Sequence, residues 1–416
     1  MTMKLFRGAR IYTPLATGNR VMSWEKGAIL ARNGFIEKVG PEEEVLRDLE
    51  PAMVEQEVNF GGRCVVPGFV DPHTHMCFSE LREKEFALRL SGVSYMEILA
   101  SGGGILSSVR SLRAASDEKI LERTKKNALT ALSHGTTTVE IKSGYGLDTA
   151  SEIRMLRLIE RAGREIPTTV IPTFMGAHAI PSEFNGDPEG FVDLLAREMI
   201  PAVSAECDPP FCDVFCEEGV FTVSQSRRIL EAARKHGMKL KIHADEVIDT
   251  GGAALAAELG AVSAEHLLAA RGENLAKMAS AGVIAVLLPA TAFSLRKPYA
   301  DARKMLELGL TVALATDCNP GSSFTQSMPF VFSLAVMNMG MTVEEALAGC
   351  TLNAAKAIES DHFCGSPEKN KMADFVVLDG ETPAIMAYNS GVSPVLSVYK
   401  RGECAAQRPD DWRFYR

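Results

Sequence analysis

Apolar strand-like segments recur through the middle of this chain, and one after another ends on a residue able to bind metal or move a proton. Asp71-Pro72-His73-Thr74-His75 follows the run Cys64–Val70, and His178 follows Thr168–Met175. His243 closes Lys239–Ile242, His266 follows Ala261–Ala264, and Asp317 follows Leu310–Ala315. Further strand candidates are Thr136–Ile141, Cys212–Cys216, Val283–Leu288 and Thr311–Ala315. Helical patterns lie between them, at Ser116–Ser133, Ala150–Gly163, Phe191–Ser204, Ser224–His236 and Thr250–Gly260. Alternating strands and helices imply a parallel sheet, and eight such units imply a closed (β/α)₈ TIM-like barrel. In that fold the C-terminal strand ends converge on one face, so residues far apart in sequence meet there. A doubly wound open sheet is the competing architecture, but no glycine-rich phosphate turn follows the first strand.

The two ends of the chain read differently. Gly27–Arg32, Asn33-Gly34 and Phe35–Val39 form a hairpin signature, since Asn-Gly supplies the positive φ values of a tight turn. Ala373–Leu378 and Val395–Tyr399 repeat that texture near the other end. The expected organisation is a small β-sandwich domain assembled from residues 1–62 and 366–416, around a barrel spanning 63–365. Helical patterns at Thr325–Met339 and Thr342–Lys356 are expected outside the barrel, with Met328, Met337 and Met339 as packing residues.

Composition narrows the function classes. A formal net charge of -9 argues against nucleic-acid or anionic-membrane partners. No apolar run approaches the roughly 20 residues that span a bilayer, and Arg7 and Arg10 interrupt any signal-peptide core. Nine cysteines scattered over 416 residues suit a reducing cytoplasm better than a disulfide framework. Cys207, Cys212 and Cys216 lack paired zinc spacing and read as small buried hydrophobes.

The histidines point to chemistry. His73 and His75 are two apart, so on a strand both imidazoles reach the same side. Of eight histidines, His134 and His236 each precede a glycine at a helix end, where the helix dipole explains them, and His362 has no evident partner. The other five all fall at strand ends, which is hard to reach without a shared site. Asp317 closes an apolar strand, where a buried carboxylate needs a cation or hydrogen-bond donors. Neutral imidazoles with one carboxylate are suitable Zn²⁺ ligands that leave a position for water. Glu246, three residues past His243, can face the same mouth and polarise water or hold a substrate N–H. Arg82, Tyr145 and Gly102-Gly103-Gly104 belong to long loops. An arginine there could clamp a substrate carboxylate, although spacing alone favours a structural part for them.

Several segments together resemble the imidazolonepropionases of the amidohydrolase superfamily. Pro67–His75 is similar to the superfamily's first-strand motif. Glu85–Leu90 with Gly92, Ser94 and Tyr95, Gly102–Arg110, Glu140–Leu147, Gly176–Pro181, His243–Glu246 and Ala315–Ser322 are similar to that family in particular. The resemblance implies hydrolysis of the cyclic amide of 4-imidazolone-5-propanoate to N-formimidoyl-L-glutamate, a step of histidine breakdown. It implies one metal ion per chain, Zn rather than Fe, held by His73, His75, His243 and Asp317. Substrate contacts are implied from Arg82, Tyr145, His178, Glu246, Asn319, Gly321 and Ser322, with His266 beside the metal. Proton transfer then falls to Asp317 or His266, orientation of ring or water to Glu246, and oxyanion stabilisation to His178. Ser79-Glu80-Leu81 departs from the family pattern and is expected to set an acid beside Arg82. The partner is a small molecule bearing a carboxylate; a homodimer fits the resemblance, though no segment marks an interface. The alternative is another mononuclear amidohydrolase, a cyclic amidase or ring deaminase, acting on a carboxylate-bearing heterocycle.

Overall fold

Gly68 divides the first expected strand, Cys64–Val70, between two sheets. In the computed structural model, which describes residues 3–16, 20–93, 97–98 and 102–408, Cys64–Pro67 and Phe69–Asp71 are separate strands. A Cβ on Gly68 would lie 2.3 Å from Thr137 Oγ1 on the neighbouring strand, so only glycine lets the chain pass so close. Ser94, Tyr95 and residues 409–416, which figure in the sequence expectations, lie outside the described residues.

The first sheet gathers both ends of the chain. β1 (Met3–Pro14), β2 (Val21–Arg32), β3 (Phe35–Pro41), β4 (Gln56–Asn59) and β5 (Cys64–Pro67) come from the N-terminal side. The Asn33-Gly34 turn joins β2 to β3 as the sequence predicts, with Asn33 at φ 52° and Gly34 at φ 86°. The later strands Phe375–Leu378, Val395–Lys400 and Glu403–Gln407 complete one mixed sheet, the first of them pairing antiparallel with β5. Its aromatic core contains Phe6, Phe60, Phe375 and Tyr399, with Phe375 and Tyr399 stacked at 4.7 Å.

The second sheet is all parallel. It runs in chain order through β6 (Phe69–Asp71), β7 (Thr136–Lys142), β8 (Thr169–Ala177), β9 (Phe211–Cys216), β10 (Lys239–Ala244), β11 (Ser263–His266), β12 (Ile284–Leu287) and β13 (Val312–Leu314). A parallel bridge between Thr74 and Cys318 joins the first strand's exit to the last's and brings the barrel round. Asp71 reinforces this seam by accepting hydrogen bonds from Thr316 N at 3.1 Å and Thr316 Oγ1 at 2.6 Å.

The flanking helices are amphipathic and capped. Ser116 and Asp148 cap Asp117–Ser133 and Thr149–Glu165 by accepting from Lys119 N and Ser151 N. Thr222 and Gln225 form a capping box on Val223–Lys235. His134 and His236 stand at helix C-caps, as the glycine that follows each suggests. The expected helix at 191–204 contains a π turn, Leu195–Met199, immediately before Ile200-Pro201; proline donates no N–H, and the wider turn accommodates it. The expected helix at 342–356 breaks into Val343–Cys350 and Leu352–Ala357 at Thr351, whose hydroxyl bonds back to Leu347 O. Met328 and Met339 are buried, but Met337 is 70% exposed and does not belong to the packing stripe. No helix among the described residues is long and apolar enough to cross a membrane.

Candidate active site

His73, His75, His243, His266 and Asp317 meet at the C-terminal mouth of the barrel, each at most 3% exposed. His73 and His75 leave β6, His243 stands in β10, His266 ends β11, and Asp317 follows β13. His266 has φ 70° and Asp317 φ 52°, a left-handed backbone uncommon for residues with a Cβ. Such conformations persist where surroundings hold them and cluster at functional sites.

The donor atoms converge. His75 Nε2 lies 3.3 Å from His243 Nε2, and Asp317 Oδ1 lies 3.6 Å from His73 Nε2 and 3.7 Å from His75 Nε2. His73, His75 and His243 each offer a nitrogen within 4.8 Å of the others. The far side of two rings is fixed by carboxylates: His73 Nδ1 donates to Glu265 Oε2, and His243 Nδ1 donates to Asp213 Oδ1 at 3.1 Å. With Nδ1 protonated, each neutral imidazole presents its Nε2 lone pair to the shared centre. His73 Nε2 is buried without a hydrogen-bond partner among the described residues, which a cation at the centre would satisfy. Burial, with Lys142 and the neighbouring histidines, holds His73 and His75 neutral, and burial lowers His243 to about 3. This donor set fits a divalent metal ion.

Asp317 is raised to about 6, first by burial and against the pull of His266, and its Oδ2 accepts from Thr291 Oγ1 at 2.6 Å. Glu246 sits at the rim, its Oε1 3.7 Å from His266 Nδ1. Asp245 is consumed structurally, accepting from Thr250 N, Gly252 N and Ala253 N at the start of helix Gly252–Leu259. That leaves Glu246 as the acid of the pair facing the site.

The residues expected to contact substrate form a second group. Tyr145 is buried beside His178, the ring centroids 5.3 Å apart, and His178 stacks on His75 at 4.8 Å. Glu152 fixes the Tyr145 loop by accepting from Gly144 N, Gly146 N and Leu147 N. His178 Nδ1 donates to Gly144 O at 3.0 Å, so its Nε2 presents a lone pair, and burial lowers the ring to about 4. The neutral ring can therefore accept a substrate N–H, whereas donation to an oxyanion would need the imidazolium that burial disfavours.

Arg82 lies by the same mouth, its backbone N donating to Pro320 O at 3.2 Å on the loop that follows Asp317. Its Nε and Nη2 both lie 3.0 Å from Glu85 Oε2, and Glu85 in turn accepts from Gly104 N. The acid beside Arg82 is thus Glu85; Glu80, expected there, instead pairs with Lys119 at the surface. Gly321 lies flat on the guanidinium, where a Cβ would come within 2.6 Å of Arg82 Nη1. Arg82, Phe86, Phe293, Gly321, Ser322 and Phe324 line a cavity of about 320 Å³. Asn319 is committed within its own loop: Oδ1 accepts from Gly321 N and Ser322 N, while Nδ2 donates to Asp317 O and Ser322 Oγ. Its side chain shapes the loop that carries Asp317.

Residues 64–404 match the amidohydrolase family. An imidazolonepropionase of Syntrophobacter fumaroxidans is 58% identical over 96% of this chain and 96% of its own length. The chain belongs to the imidazolonepropionases of the amidohydrolase family. A second imidazolonepropionase, from Desulfotalea psychrophila, is 54% identical over 97% of this chain and 99% of its own. Among solved structures, E. coli guanine deaminase matches with a TM-score of 0.76 at 16% identity, over 98% of this chain and 100% of that one. A triazine hydrolase variant matches with a TM-score of 0.76 at 19% identity, over 98% and 96%. These two share the fold, and their different reactions show that the fold alone does not select a substrate.

In this member of the imidazolonepropionase family, a set of charged residues absent from the sequence expectations lies below the mouth. Glu140, Lys142, Asp213, Lys241 and Glu265 are all fully buried. Lys142 Nζ lies 2.7 Å from Glu140 Oε1 and 2.8 Å from Asp213 Oδ2, and Lys241 Nζ lies 3.4 Å from Glu265 Oε1. Their signal was visible in the pairs Glu140/Lys142, Lys241/His243 and Ser263/Glu265, which place polar residues at i and i+2 in otherwise apolar strands. Cys212 and Cys216 are buried among apolar side chains, as expected.

Proposed function

We propose that this chain hydrolyses 4-imidazolone-5-propanoate to N-formimidoyl-L-glutamate, in a barrel that begins at Phe69 and is flanked by a composite β unit built from both sides of the chain, to which Cys64–Pro67 belongs rather than to the barrel. The observation that carries the reading is a buried His73–His75–His243–Asp317 centre in a chain 58% identical to an imidazolonepropionase. His73, His75, His243 and Asp317 would hold one ion, zinc rather than iron. When bound, such an ion supplies Lewis acidity and lowers the pKa of water from near 16 toward about 7.

The chain's own residues do the rest. Arg82 and Tyr145 bind the propanoate and the ring, and Gly321 and Ser322 line the cavity beside Arg82. Glu85 holds the Arg82 guanidinium oriented before substrate arrives, and the free edge of the guanidinium meets the carboxylate. His178 accepts a ring N–H at Nε2. Glu246 orients the ring or the attacking water from the rim. Asp317 takes the proton released by water as the carbonyl carbon is attacked, with His266 as the neighbouring relay. The same proton returns to the ring nitrogen as the C–N bond breaks, leaving the formimidoyl group on the new glutamate nitrogen.

Incubation with freshly generated substrate tests this reading through the product: N-formimidoyl-L-glutamate supports it, and an unchanged substrate overturns it. Glu246→Gln keeps the shape of the side chain but loses its charge. We expect kcat/KM to fall about 10²-fold, the lower range for a positioned acid–base group, with metal content unchanged. A variant as active as the parent would remove Glu246 from the mechanism.

A further inference from the structure

We infer that the Lys142 ammonium is a built-in second cation of this centre, filling a carboxylate cage that would otherwise take a second metal ion. The inference rests on the single-ion reading above and supplies what enforces it.

His73, Asp213 and Glu265 form a second group of buried donors, with one ligand atom of each within 4.8 Å of the others. Glu140 adds a further carboxylate within reach of the same lysine. Three acids with no exposure cannot all stay ionised without positive charge beside them. Lys142 provides it at contact distance to two of them, 2.7 Å from Glu140 and 2.8 Å from Asp213, and acts electrostatically on Glu265 as well. Lys241 reaches only Glu265, at 3.4 Å, and otherwise donates to Pro72 O and Ala357 O. The cage and the metal centre share His73, and Asp213 bridges them: Oδ1 accepts from His243 while Oδ2 faces Lys142. A second divalent ion placed there would stand against a fixed ammonium in a low-dielectric interior, where repulsion between like charges is strong. Without Lys142, Glu140 and Asp213 would lose their shared cation, and with Glu265 they leave buried carboxylates, oxygen donors that suit a divalent metal.

Metal counting on Lys142→Ala decides the matter. Metal-stripped protein would be dialysed to equilibrium against Mn²⁺, which nitrogen and oxygen donors bind in preference to the nine thiols of this chain. The parent is expected to bind one ion per chain and Lys142→Ala two, with the spin coupling of neighbouring Mn²⁺ ions in its resonance spectrum. Lys142→Ala/Glu140→Gln removes an acid together with the base, so it folds without an added unpaired charge, and it is also expected to bind two. Adding Glu265→Gln to Lys142→Ala should return the count to one. One ion in both Lys142 variants, with one in the parent, overturns the inference and leaves the single-ion reading intact. Two ions in the parent overturn the single-ion reading itself.

Discussion

His243→Ala is expected to lose its metal on dialysis and to lower kcat/KM by roughly 10³-fold or more. Lewis-acid assistance is worth several kcal/mol, and each ~1.4 kcal/mol is a factor of ten. The geometry makes this a clean substitution. His243 Nε2 is 3.3 Å from His75 Nε2, so the change removes a donor from the middle of the cluster. On the other side, Asp213 keeps its ion pair with Lys142 at 2.8 Å, so the carboxylate that held the ring is not left uncompensated. Metal analysis beside steady-state kinetics on the same sample checks the outcome. A variant that retains both metal and turnover would show that the ion sits elsewhere.

Asp317→Asn is the second large effect, with kcat expected to drop by about 10³-fold, within the range for loss of a positioned base. Asparagine preserves the side-chain shape and an oxygen for Thr291, whose hydroxyl donates at 2.6 Å. What disappears is the charge that we propose completes the donor set and accepts the proton of water. The loss should therefore fall on kcat more than on KM, measured in single-turnover experiments with excess enzyme and saturating metal. A loss confined to KM would assign Asp317 to binding instead.

Much of this site is legible in the strand-end pattern. His73, His75, His243, His266 and Asp317 follow or close apolar runs, and the parallel sheet brings them together because its C-terminal ends share one face. The strands emerge close to their expected limits because β-branched and apolar runs bounded by glycine leave few alternatives, as at Thr136–Lys142 after Gly135. The division at Gly68 was not legible, since Cys64–Val70 is uniformly apolar and nothing in its composition says that two sheets share it. Pair choices among side chains were harder still. Glu80 and Glu85 are equally acidic and flank Arg82, yet helix Glu83–Leu90 turns Glu85 toward the guanidinium and leaves Glu80 to Lys119. The tautomer of His178 depends on a backbone carbonyl at Gly144, a partner that carries no sequence signature. Charged residues within strands carry a signal of their own: an acid and a base two apart, as in Glu140 and Lys142, mark a polar barrel interior where branched aliphatics are usual.

On the proposed mechanism, a metal centre held by His73, His75, His243 and Asp317 supports the ring opening. The most direct test is stepwise reconstitution of metal-stripped enzyme with Zn²⁺, following turnover of freshly generated 4-imidazolone-5-propanoate at each addition. We expect activity to rise in proportion to bound metal and to level off at one ion per chain, with N-formimidoyl-L-glutamate as the product. Full turnover in the stripped enzyme, or a loaded enzyme inert toward this substrate, would contradict that mechanism.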